Sequence, residues 1–164
     1  MNYLGLTRDD TAPVAEQLNL LLADFHVYYQ NLRNCHWNVT GIQFFELHKL
    51  FEALYIEARD RIDEIAERVL TLRHRPMSNM SRYLEESNVE EAGRLHNDHD
   101  MVSTLLENHK ILIQRMRDVL ETADQVKDDG TIDLISSFLQ RLEKHSWMLD
   151  AWLAKQQEPV LSMS

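Results

Sequence analysis

Turn-forming and cross-linking residues are scarce here, with four glycines, three prolines and one cysteine among 164 residues. So few glycines and prolines leave little material for the turns of a multistranded sheet, and the abundance of Leu, Glu, Ala and Arg favours helix throughout. A lone Cys35 excludes an intrachain disulfide framework and fits a reducing compartment. No apolar run approaches the length of a membrane span, and the opening MNYLGLTRDD lacks a basic region followed by an apolar core. A cytoplasmic location away from membranes is expected. Basic excess is missing too: 17 Lys and Arg against 27 Asp and Glu give a net charge of −10 and a pI near 5.2. Broad attraction to a phosphate backbone is therefore not expected, and cations are the better partners.

What is present is helical periodicity. Apolar residues recur at helical spacing over 12–38, with Asp10, Thr11 and Pro13 as start signals and NVTG as the stop. Further helices are predicted over about 43–73, 89–123 and 131–156, the last after the break KDDG. Short links pair the first two helices, and the last two, into antiparallel hairpins. The middle link HRPMSNMSRYLEESN, residues 74–88, is long enough to run the length of a bundle and carries a short helix at SRYLEE. The expectation is one all-α domain over 1–164, a four-helix bundle with one long crossover, which is the ferritin-like topology.

The second helix carries the chemistry. At about 100° per residue, with His48 at 0°, Glu52 falls near 40°, Asp63 near 60° and Glu67 near 100°. The apolar stripe of the same helix, from Leu47 through Phe51, Ala58 and Ile65 to Leu72, centres near −80°, so the ligand candidates point away from their own core. Charged residues in such a position ordinarily form a solvated face. Phe45 and Ile56 share the sector, however, near 60° and 80°, while the wholly polar strip Glu57, Arg61, Glu64 and Arg68 lies at about 160° to 220°. Large apolar groups mixed with His and carboxylates describe a buried interface better than open water.

His48/Glu52 and Asp63/Glu67 each present two groups to one place, but the pairs stand about 22 Å apart along the axis. One ion cannot bridge them within a chain. Two copies of the helix packed antiparallel about a two-fold axis would bring unlike ends together and make two equivalent sites per dimer. Mixed imidazole and carboxylate ligation suits Fe(II), Zn(II) or Mn(II) better than Mg, Ca or Cu(I).

HWNVTG, then His48 with an acid four residues on, then RIDEIAER, with DDGTIDLI and RLEKHSWMLDAWL farther along, resemble the Dps proteins (DNA-binding proteins from starved cells). These form the small dodecameric branch of the ferritin-like fold. The resemblance implies an intersubunit di-iron ferroxidase site of His36, His48 and Glu52 from one subunit with Asp63 and Glu67 from its two-fold mate. It further implies a hollow shell of twelve subunits that oxidises Fe(II), preferentially with hydrogen peroxide, and stores ferric mineral. One position departs from the family, which usually has Asp where this chain has Glu52, displacing the carboxylate by roughly a bond length. None of the eight histidines has Glu three positions before it, so the Glu-x-x-His centre of ordinary ferritins is missing.

Other features carry two readings each. His96, His99 and Asp100 in RLHNDHD are a solvated first helical turn or a second metal patch. Asp128, Asp129 and Asp133 are a capped helix start or, by the resemblance, pore residues through which iron enters the shell. Trp37 and Trp147 are packed indoles or sacrificial electron donors. Cys35 beside His36 points about 100° away from it and is left out of the site. Two rival functions differ in class. In a DNA-coating nucleoid protein with secondary iron binding, basic termini would be needed, but MNYLGLTRDD and AKQQEPVLSMS supply none. A catalytically silent bundle would hold structural Zn at the same donors.

Overall fold

The computed structural model describes residues 2–155. It contains α1 (Arg8–Asn38), α2 (Phe44–Thr71), α3 (Met80–Glu86), α4 (Asp98–Gln125) and α5 (Asp129–Lys155), with no strand among the described residues. The expected helical end at Gln156 and the C-terminal tail lie outside them. α1 begins four residues earlier than Asp10 and Thr11 suggested, because Thr7 is the cap. Its side chain accepts from Asp10 N–H while the Asp10 carboxylate accepts from Thr7 N–H at 3.1 Å, closing a reciprocal capping box.

Side-chain pairs settle the topology. Asp24 meets Arg115, Tyr28 meets His109 and Asn31 meets Asn108, so numbers rise along α1 as they fall along α4 and the two helices are antiparallel. Gln43 with Trp152, Glu57 with His145 and Arg68 with Asp128 give the same relation for α2 and α5. α2 and α4 are then parallel, which forces the chain between them to travel back along the bundle. Leu18, Leu21, Leu22, Leu32, Phe51, Ile65, Leu105, Leu112, Met116 and Ile135 fill the core, buried almost completely, at about 1.5–3 kcal/mol of transfer free energy each.

One expectation needs correction. The third long helix starts at Asp98, capped by Asn97, whose side chain accepts from Asp100 N–H at 2.8 Å, and not at Val89. Residues 87–97 instead continue the crossover along α1. Asn31 donates to Glu90 C=O and accepts from Ala92 N–H, both at 2.9 Å, and Asn34 donates to Gly93 C=O at 2.7 Å. Side-chain amides thus satisfy backbone groups that a helix would have bonded internally. Val89 is buried there, as an apolar periodicity would suggest, but in extended chain. The polar strip of α2 finds its partners within the chain. It faces α5 rather than water: the Glu57 carboxylate accepts from Arg61, Arg141 and His145, and Arg68 reaches Asp128 and Thr131.

Candidate metal centre

His36 lies in the last turn of α1 and His48 near the start of α2. The connection turns at Gly41, whose φ of 101° belongs to a region that favours glycine. The return places the two imidazoles face to face, with ring centroids 3.8 Å apart and planes 17° from parallel. His36 is buried and His48 half-buried.

Each ring is held by the other residue's backbone. His36 Nδ1 lies 2.8 Å from His48 C=O, and His48 Nδ1 lies 2.9 Å from His36 C=O. A carbonyl only accepts, so both Nδ1 atoms carry the proton and donate. In the neutral rings the lone pair is then on both Nε2 atoms, the tautomer a metal ion requires. The imidazoles are walled by Phe44, stacked on His48 at 4.9 Å, and by Tyr55, edge-on to His36 at 5.2 Å.

Glu52 stands one turn beyond His48, half-buried, whereas Asp63 and Glu67 are exposed farther along α2. No ion pair among the described residues engages Glu52, Asp63 or Glu67, unlike neighbouring Asp60 and Glu64. The structure therefore brings His36 and His48 together, carries Glu52 one turn along α2 from His48, and leaves Asp63 and Glu67 farther along the same helix. Within one chain, no group of three or more His, Cys, Asp or Glu among the described residues could hold an ion. On the same sector of α2, Phe45 before His48 and Ile56 between the two half-sites are uncovered in the single chain.

Of the three pore candidates, Asp129 and Asp133 are exposed and available to solvent ions. Asp128 is buried, pairs with Arg68 and accepts from Thr131 at the start of α5, so its capping role accounts for it in this chain. His96 is exposed, and His99 and Asp100 belong to the first turn of α4 beside its Asn97 cap. Burial pushes the Cys35 thiol up to about 12, which leaves no thiolate to bind metal. Trp37 and Trp147 are both mostly exposed, so neither is a packed indole of this chain.

Tyr55 and Phe44 were not singled out from the sequence. The signal existed, since Tyr55 falls about 20° from His48 on the same wheel and Phe44 about 40°. A second unforeseen group is the buried chain in which Tyr28 O–H donates to His109 Nε2, His109 Nδ1–H to Ser146 Oγ, and Ser146 O–H to Leu142 C=O. The last acceptor is a carbonyl, and that fixes the direction of every donor before it.

A family model described as the ferritin-like domain matches residues 15–158. The DNA protection during starvation protein 2 of Bacillus anthracis is 40% identical over 140 residues, spanning 85% of this chain and 96% of that one. A DNA protection during starvation protein of Porphyromonas gingivalis is 38% identical over 155 residues, spanning 94% and 98%. The crystal structure of a Dps protein from Vibrio cholerae O1, described as belonging to a broad superfamily of ferritin-like diiron-carboxylate proteins, aligns with a TM-score of 0.90. It is 40% identical and covers 93% of this chain and 96% of its own. The chain belongs to the Dps branch of the ferritin-like family.

Proposed function

We propose that the protein is a ferroxidase and iron-storage shell, in which Fe(II) is the substrate and ferric mineral the stored product. The observation that carries this reading is the reciprocal His36/His48 pair, whose Nδ1 atoms both donate to backbone and leave both Nε2 lone pairs free. Fe(II) fits such a donor set, as do Zn(II) and Mn(II) in the isolated protein. Asp63 and Glu67, too distant on the same helix, complete the site from a two-fold partner, and twelve subunits enclose the store. Hydrogen peroxide is the preferred oxidant: two Fe(II) at one site each give one electron, which with two protons converts it to two waters and leaves no hydroxyl radical. The chain's part is to position the ions, the redox chemistry being the metal's own. Asp129 and Asp133 guide entering iron. A net charge of −10 makes DNA binding weak or absent at physiological salt. No helix among the described residues is long and apolar enough to cross a membrane, and the cytoplasm is the proposed location.

The test is to load Fe(II) anaerobically, add peroxide, and count iron oxidised per peroxide in wild type and in His36→Ala/Glu67→Ala. Two irons per peroxide are expected, faster than with air, and loss of the fast phase in an assembled variant. An unchanged fast phase in that variant overturns the site.

A further inference from the structure

We propose that the groove between α1 and the second half of the crossover binds a neutral sugar, with Trp37 as the platform for its ring. The site is separate from the metal ligands and does not depend on the ferroxidase reading. The groove exists because Asn31 and Asn34 hold residues 90–93 in extended chain alongside α1. It encloses about 370 Å³, within the range of small-molecule sites, about 300–1,000 Å³. Gln30, Asn34, Trp37 and Asn38 recur at helical spacing and form one wall, and Glu91 and Gly93 belong to the other.

The chemistry of that lining selects the ligand. A pyranose has a face of C–H groups, which packs on an aromatic ring, and a rim of hydroxyls that each donate and accept. Trp37 is 57% exposed. The Arg33 guanidinium lies 4.7 Å from the indole centroid, so it braces one face of the ring and leaves the other for a ligand. Asn38 Nδ2 donates to the Asn34 backbone carbonyl at 2.9 Å and to the Asn34 side-chain oxygen at 3.0 Å, while Asn34 Nδ2 donates to Gly93 C=O at 2.7 Å. Ring and amides are thereby oriented before a ligand arrives, which reduces the entropy lost on binding. Asn38 keeps its own side-chain oxygen as an acceptor. Gln30 and Glu91 are exposed, and neither side chain is committed to another group among the described residues. They add an amide that donates and accepts and a carboxylate that only accepts, a set that matches a row of hydroxyls. Charge selects against anionic ligands: Glu91 stands in the groove, and the chain carries −10 overall, so a phosphate or a sugar acid is repelled.

The experiment is saturation-transfer NMR on the assembled protein with D-glucose, D-galactose, D-mannose and N-acetyl-D-glucosamine as probes, and glucuronate as the charged control. At least one neutral sugar is expected to bind with a Kd of about a millimolar, with saturation strongest on the C–H protons of one ring face. Trp37→Ala and Glu91→Gln are each expected to weaken that binding about tenfold or more, the loss of roughly one well-placed contact. Both residues are exposed, and assembly of each variant is verified by mass. Glucuronate is expected to bind more weakly than glucose in wild type. No binding of any neutral probe, undiminished binding in Trp37→Ala, or tighter binding of glucuronate than of glucose overturns the proposal. So does a Trp37 indole that the assembled shell shields from acrylamide, judged by the difference in quenching between wild type and Trp37→Phe, because a neighbouring subunit then fills the groove. Fe(II) oxidation is not among these readouts, so each of these failures leaves the ferroxidase reading standing.

Discussion

Ownership of the proposed metal centre can be decided by mixing two inactive proteins. α2 is continuous from Phe44 to Thr71, so the separation of His48 from Asp63 is fixed at about 22 Å by the helical rise, against metal–ligand bonds of about 2 Å. One variant removes the imidazole half (His36→Ala, His48→Ala) and the other the carboxylate half (Asp63→Ala, Glu67→Ala); each alone is expected to be inactive. The two are unfolded and reassembled together in equal amounts, and mixed shells are verified by mass. A site regains both halves only when the chain lending its histidines came from the second protein and the chain lending its carboxylates from the first. Two independent even choices make that about a quarter of sites. Peroxide-driven Fe(II) oxidation, followed by absorbance, should therefore return to about a quarter of the wild-type amplitude, with the rate constant of each restored site unchanged. If all five ligands came from one chain, no mixture would contain a complete set, and inactivity in verified mixed shells refutes the intersubunit arrangement. Because His36 is buried, a His→Gln pair serves as a less disruptive imidazole-half variant.

Two further outcomes follow from buried groups. His109 is held neutral, its pKa lowered to about 3 by burial and by nearby His145, while the unfolded chain titrates near 6.5. Its contribution is complete above about pH 6.5 and is lost as pH falls toward about 3, because the unfolded state binds a proton that the folded state refuses. Urea unfolding at pH 5 should show a loss of about 2 kcal/mol relative to pH 7.5 from this residue, and a wild-type pH slope unchanged in His109→Gln would refute the assignment. At Gly130 an added Cβ would come within 2.7 Å of Arg68 Nη2, and that guanidinium is pinned by Asp128 and Thr131. Gly130→Ala should cost about 1–3 kcal/mol by disturbing the buried pair, yet become neutral or favourable by up to about 1 kcal/mol when combined with Arg68→Ala. Equal costs in both backgrounds would exclude the clash.

Much of the molecule is written in local pattern. The scarcity of Gly and Pro, the helical spacing of Leu and Phe, and a middle link too long for a hairpin are enough to specify four long helices and a crossover. Helical arithmetic on α2 alone places His48, Glu52, Asp63 and Glu67 on one outward face, since a rigid helix converts sequence offset directly into angle and distance. Tertiary structure decided what depends on partners from distant segments. Val89 has the apolarity of a helix residue, but Asn31 and Asn34 of α1 hold its neighbours in extended chain. The polar strip of α2 looks solvated until Arg141, His145, Asp128 and Thr131 of α5 are brought against it. Asp128 reads like Asp129 and Asp133, and only the approach of Arg68 makes it a buried anchor while the other two stay free. The same holds at the proposed metal centre. Sequence supplies two histidines, but which nitrogen of each is free to bind was set when a glycine turn brought each ring against the other's carbonyl, a long-range geometry that no local propensity encodes.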